Sequence, residues 1–408
     1  MAKNKEPQEW KLPEKIWNPA FISIFLAAAG LQMGQQTSNS LLSLYAKFEG
    51  APADQIGQLA SMFAVTALIF RFISGPAMNS FNRSKLVAMG MSFMAIAYLG
   101  FAGAPYIAPA VGLEVITVLK IFRLIQGVGN AFGSACCLTI VTDTLPKDKF
   151  TTGMGYYGLA QVIAQAIGPT VGVYLRDWVG YNITYVILFG VMCCAIVMAT
   201  SVKTAPRTPV KFELKPKNMI AVEALIPSLV TFFVAMGFTS ISAFMLVYAE
   251  ERSIAGASYF FTVYALTMFV TRPVVGKLTD KYGFVKVAIP SILLTAVSLA
   301  LIGISQNIVM LLGAAFVNAF GYGAVQPMLQ ALAMKSVPNE RRGSASSTNS
   351  ICMDAATLIG PSVCGYVANA FGYTPAMWLA MCVPIVVGAV FVFCTRKKIA
   401  DIENAFAG

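Results

Sequence analysis

Apolar stretches of about 20 residues recur along the whole chain, separated by short polar segments. A helix of that length crosses the roughly 30 Å hydrocarbon layer of a bilayer. The pattern predicts helices over 19–45, 54–76, 85–105, 110–142, 152–175, 181–202, 219–249, 255–277, 284–304, 307–335, 343–370 and 374–395. Strands of a membrane barrel would alternate apolar and polar positions, and the run from Val287 to Ile304 does not. The predicted class is an all-α membrane protein with 12 transmembrane helices.

Composition agrees. Of 408 residues, 57% are hydrophobic and 12% charged, and the mean hydropathy is +0.70. A water-facing domain carries about a quarter of its residues charged, so most of this surface does not face water. The net charge of +11 would suit nucleic acid, but its placement does not. On the predicted topology, 22 of the 29 Lys and Arg lie in the N-terminal tail, the even-to-odd loops and the C-terminal tail. Only Lys47, Arg176 and Arg252 lie on the other side. That asymmetry predicts cytoplasmic termini, with anionic lipid headgroups as sufficient partners for the basic stretch 203–217. Residues 1–17 mix Lys with Glu before the apolar run and predict no cleaved signal. There is no His, and all eight Cys fall inside predicted spans without metal-ligand spacing. No cofactor, metal or enzymatic nucleophile is expected.

The chain also repeats itself. Residues 61–86 align with 262–287 at an offset of 201, pairing Arg71 with Arg272, Gly75 with Gly276, Asn79 with Asp280 and Lys85 with Lys286. Farther on, at an offset of 192, Gly168 and Pro169 match Gly360 and Pro361. The predicted division is 1–202 and 219–408, two pseudo-symmetric six-helix bundles, with 203–218 as linker. Two similar bundles rocking about a site between them is the design of an alternating-access transporter.

Three motifs now carry a family resemblance. The stretch Gly276 to Lys286, with Asp280, Lys281 and Gly283, resembles the loop motif of the major facilitator superfamily. Arg123, Gln126, Gly127 and Gly129 resemble the buried-arginine motif of its proton-linked members. Gly168, Pro169 and Gly172 resemble the Gly-Pro motif of the drug/proton antiporters, with Val173 in place of the closing glycine. The first-half loop departs from the pattern, carrying Asn79 where the family has Asp. The resemblance implies the major facilitator fold, an antiporter of the efflux branch, and a central pathway lined by the first, fourth, seventh and tenth helices.

Candidate gating residues are Arg71, Gly75, Arg272, Gly276, Asp280 and Lys281, around tight turns where Asp280 can meet backbone N–H groups at a helix N-terminus. The alternative for the lysines is plain topology charge. Gly168 with Pro169 and Gly360 with Pro361 predict kinks, either hinges at the seam between halves or ordinary bends.

Charges within hydrocarbon say most, since each costs at least roughly 2.5–3.5 kcal/mol. Arg123 lies nine residues into its helix, about 13 Å deep at 1.5 Å per residue. Lys120 is predicted on the same face, with Asn130 beyond; its alternative is snorkelling outward. Asp354 is the only acid deep in any span. It reads either as a proton carrier or as a fixed counter-ion to a cation such as Arg272, Arg123 or Lys120. Polar stripes complete a candidate pathway: Gln32, Gln36 and Asn39 on the first helix, and Tyr322, Gln326 and Gln330 near Asn318 on the tenth.

The function expected is secondary active transport of a small organic solute, as proton-coupled efflux of an amphipathic or anionic compound. The alternatives are organic-anion uptake or exchange without protons, and a non-transporting membrane sensor. The expected partners are substrate, proton and the lipid bilayer, with the chain acting as a monomer in a bacterial inner membrane.

Overall fold

A computed structural model describes residues 15–146, 150–202, 220–338 and 342–407. Among them there is no strand. The helices are α1 (Pro19–Phe48), α2 (Ala53–Ser80), α3 (Arg83–Val111), α4 (Val115–Thr144), α5 (Phe150–Ser201), α6 (Leu225–Glu251), α7 (Tyr259–Tyr282), α8 (Phe284–Ile304), α9 (Ile308–Phe320), α10 (Tyr322–Lys335), α11 (Arg342–Phe371), α12 (Pro375–Cys394) and α13 (Arg396–Ala407). Nine helical stretches among the described residues are long and apolar enough to cross a membrane. Neither α1 nor α7 is among them. The amides Gln32, Gln35, Gln36 and Asn39 lower the hydropathy of α1, and Arg272 that of α7.

Three boundaries differ from the sequence expectation. The predicted helices 152–175 and 181–202 form one element, α5, broken at Gly180, whose φ of 79° and ψ of 172° are not helical. The predicted helix 307–335 is interrupted at Gly321 (φ −81°, ψ −100°), giving α9 and α10. A Cβ at Gly321 would lie 2.6 Å from the Thr295 backbone nitrogen, so glycine there lets the break press onto α8. The third difference is α13, an additional helix beyond the last predicted span. Its Glu403 Oε1 accepts from the Phe284 backbone N–H at 3.0 Å.

That contact repairs an asymmetry of the repeat. Asn82 caps α3 itself, its Oδ1 accepting from the Lys85 N–H at 3.2 Å, as N-terminal Asn commonly does. At the matching position stands Gly283, whose φ of 83° and ψ of 159° suit glycine alone and which has no side chain to cap with. Glu403 supplies the missing acceptor from the chain's last helix.

Helices α1–α5 pack on one another, as do α6–α12, and the two groups meet along α2–α11, α5–α7 and α1–α6. Close approach depends on small residues. A Cβ at Gly90 would meet the Gly133 nitrogen at 2.5 Å, and one at Gly57 would strike the Pro361 carbonyl across the seam. Cys136, Cys137 and Cys364 are buried and unbridged, in keeping with apolar packing. The predicted linker 203–218 lies outside the described residues.

Candidate functional site

Between the two groups of helices lies a cavity of about 370 Å³, lined from α1, α2, α4, α5, α6, α7, α10 and α11. The α1 stripe faces it with Gln32, Gln36 and Asn39, joined by Gln35. Arg123 and Asn130 enter from α4, Tyr322 and Gln326 from α10, Thr239 and Ser242 from α6, and Arg71, Arg272, Asp354 and Pro361 from α2, α7 and α11. Sequence reasoning missed Gln161 and Gln165 on α5, although their i, i+4 spacing marks one polar face.

Asp354 is paired across the seam. The Arg71 Nε donates to its Oδ2 at 2.5 Å and the second Arg71 nitrogen to its Oδ1 at 3.2 Å. The two side chains are only 18% and 10% exposed. The cation paired with Asp354 is therefore Arg71, which was not among the examples the sequence offered. Helix spacing could not reveal this, because the partners stand 283 positions apart.

Arg123 is 3% exposed and touches no carboxylate among the described residues. Its guanidinium donates to Gln126 Oε1 at 2.5 Å and to Asn39 Oδ1 at 2.8 Å, and lies 4.9 Å from the Phe63 ring centre. Its buried Nε has no hydrogen-bond partner among the described residues, nor have Gln35 Oε1 and Asn130 Oδ1. Arg272 is exposed within the cavity wall and also borders a second cavity of about 270 Å³ beside Gly276, Lys335 and Glu403.

Two expectations about polar stripes fail. Lys120 does not share the Arg123 chamber; its Nζ donates to Gln58 Oε1 at 3.0 Å, toward α2. Three residues of helix turn the side chain by some 60° from exact alignment, enough to send a long lysine to a neighbouring helix. On α9 and α10, Asn318 is fully buried and donates to Ser298 Oγ at 2.6 Å, and Gln330 does not line the cavity. The break at Gly321 takes Asn318 out of register with Tyr322, which instead stacks on Phe238 at 4.2 Å between ring centres.

The Gly-Pro pairs pack within their own bundles, Gly168 on α1 and Gly360 on α6, and the Pro361 carbonyl also faces Gly57 of α2 across the seam. Thr37 Oγ1 donates to the Gly168 carbonyl at 2.9 Å, with Pro169 inside α5. A Cβ at Gly360 would lie 2.7 Å from the Met236 carbonyl. Gly276 has open space around it, and the Lys281 Nζ lies 5.1 Å from the Tyr282 ring centre. Gly75 lies within α2; its surroundings and the side chains of Asn79 and Asp280 are outside what the structure describes.

The end of the bundle opposite the termini is held shut by contacts the sequence did not announce. Lys47 on α1 reaches Glu251 at 2.8 Å and Glu250 at 3.6 Å on α6, and Arg176 on α5 reaches Glu250 at 3.5 Å. Ser362 and Ser61 hydroxyls meet at 2.9 Å between α11 and α2, and the Tyr174 and Tyr259 hydroxyls meet between α5 and α7. The ion pairs are partly exposed, so each is worth at most about 1 kcal/mol. Glu250→Gln, which weakens two of them, is expected to raise the population open at this end by up to about thirtyfold, the ratio for about 2 kcal/mol. A cysteine placed at Gln36 would then react faster with a membrane-impermeant thiol reagent from that side; an unchanged rate contradicts the latch.

The model of the Major Facilitator Superfamily matches residues 21–225 and 227–406. The staphylopine export protein of Staphylococcus aureus is 23% identical over 391 residues, covering 89% of this chain and 93% of that protein. The MFS-type transporter YhhS of Escherichia coli is 23% identical over 354 residues, covering 86% and 85%. Among solved structures, a POT family transporter bound to a thioalcohol-conjugated peptide superposes with a TM-score of 0.76 at 14% identity, covering 95% of this chain and 99% of that one. At that identity the likeness speaks for the fold. With several helices able to span a bilayer, this is an integral, multi-pass membrane protein. Matched in both halves, the chain belongs to the Major Facilitator Superfamily.

Proposed function

We propose that the protein is a secondary active transporter that couples proton movement to export of a small amphipathic or anionic solute by alternating access. In this reading α5 counts as two spans, α9 with α10 as one, and α1 and α7 join the set to give twelve. Bundles 1–202 and 219–408 rock about the chamber, the termini are cytoplasmic, and the monomer sits in a bacterial inner membrane. The observation that carries the proposal is the Arg71–Asp354 pair, a buried ion pair that ties the two halves together inside a polar cavity.

A tie of this kind has two states. With Asp354 ionised, Arg71 holds α2 against α11. A proton on Asp354 cancels the attraction and leaves Arg71 free to turn toward the chamber. The same step that loads a proton therefore loosens the seam, which is what coupling requires. With no His in the chain, Asp354 is the titratable group at the right place. Export as the direction is supported by the Gly-Pro motif on α5 and by the staphylopine exporter among the relatives.

A second reading, organic-anion exchange without protons, is favoured by Arg123, a buried cation with neutral partners only. Proteoliposomes separate the two. Proton-coupled export predicts substrate flux that collapses when an ionophore dissipates the pH gradient. Flux that ignores the gradient but needs substrate on the far side would establish exchange instead.

A further inference from the structure

The charges lining the chamber do not cancel. Among the described residues they are Arg71, Arg123 and Arg272 against Asp354 alone. Asp354 is engaged by Arg71. Arg123 is held by two amide oxygens and a ring face, with its Nε unpartnered at 3% exposure. Arg272 has no carboxylate within ion-pair distance among the described residues. A guanidinium out of bulk water costs several kcal/mol unless an anion compensates it; Arg123 is such a group, and the more exposed Arg272 shares the wall of the same cavity.

We propose that the transported solute carries at least two acidic groups, carboxylate or phosphate, one anchored by Arg123 on α4 and one by Arg272 on α7. This rests on the transporter reading above and narrows its substrate class. A dianion brings the lining to neutrality. A lipophilic cation would instead add a positive charge to a lining that already carries an excess of cations. The planar guanidinium fork suits carboxylate and phosphate alike, because both offer two oxygens in its plane. The remaining lining agrees with a polar solute: Gln32, Gln36, Gln161 and Gln326 present both donors and acceptors. The cavity volume of about 370 Å³ falls in the small-molecule range of roughly 300–1,000 Å³. Because Arg123 and Arg272 belong to opposite bundles, a diacid long enough to reach both would bridge them. Occupancy would then bias the rocking equilibrium.

The test uses the full-length protein in detergent with matched probes. These are butyrate, succinate and tricarballylate; glycerol 1-phosphate and glycerol 1,3-bisphosphate; and tetraphenylphosphonium. Melting-temperature titrations should give affinities at least roughly tenfold tighter for a diacid than for its monoacid partner, the gain of one added charged hydrogen-bonding pair. The two series show which acid is preferred. Arg272→Gln should bring the ratio of diacid to monoacid affinity close to one, while Arg272→Lys retains part of the advantage. Equal shifts for mono- and diacids, stabilisation by tetraphenylphosphonium alone, or an advantage that survives Arg272→Gln would each overturn the proposal. If diacids bind but move under no gradient, the transporter reading fails while the site stands. If tetraphenylphosphonium is pumped, transport stands and the diacid assignment fails.

Discussion

Asp354→Asn is expected to reduce pH-gradient-driven transport to the level of protein-free liposomes while leaving substrate counterflow measurable. The carboxamide keeps the size and one acceptor oxygen of the side chain but neither binds nor releases a proton. The Arg71 guanidinium would remain at the seam without its charge partner, and breaking a buried pair in this way costs about 3–5 kcal/mol. Both side chains retain some exposure beside a polar cavity, which places the loss toward the lower figure. The structural part is separable. Arg71→Gln combined with Asp354→Asn removes both charges, so it should recover stability lost in either single variant and still fail to couple. Gradient-driven accumulation by Asp354→Asn at wild-type level removes Asp354 from the coupling path.

Arg123→Gln should have two effects of opposite sign. Without substrate, the variant removes a buried cation that has only Asn39, Gln126 and Phe63 for company, so the melting temperature should rise. With substrate, the anchor is lost, and affinity should fall roughly 10- to 100-fold, as expected for a hydrogen bond to a charged group. A residue kept only to hold helices together would lose stability when replaced, so the pairing of greater stability with weaker binding marks a functional charge. Thermal denaturation with and without substrate reads both. A fall in stability with unchanged affinity would assign Arg123 to packing.

The sequence carried the helical class, the internal repeat and most of the chamber, because these rest on periodicity and on the expense of polar atoms in hydrocarbon. Gln32, Gln36, Asn39, Arg123 and Asp354 were legible for that reason, and all line the cavity. What escaped depended on rotation and on distance along the chain. Lys120 leaves its face for Gln58, and Asn318 falls on the far side of a break that a single glycine introduces. Arg71 read as a turn-associated gate, yet its partner was set by the packing of α2 on α11, which no local pattern encodes. Lys47 and Arg176 read only as charges on the side opposite the termini, and their shared partner Glu250 lies on another helix. The role of Glu403 was hidden in the same way: only the geometry of Gly283 shows that α8 needs a borrowed cap.

At the root of this account, α2 and α11 must part during each cycle. Ser61 and Ser362 touch across that seam, hydroxyl to hydroxyl at 2.9 Å, close enough for cysteines at both positions to form a disulfide. The direct measurement is transport by the Ser61→Cys/Ser362→Cys protein, with the eight native cysteines replaced, before oxidation, after it, and after reduction. The account predicts that oxidation stops transport and reduction restores it. Full-rate transport by quantitatively cross-linked protein would contradict it.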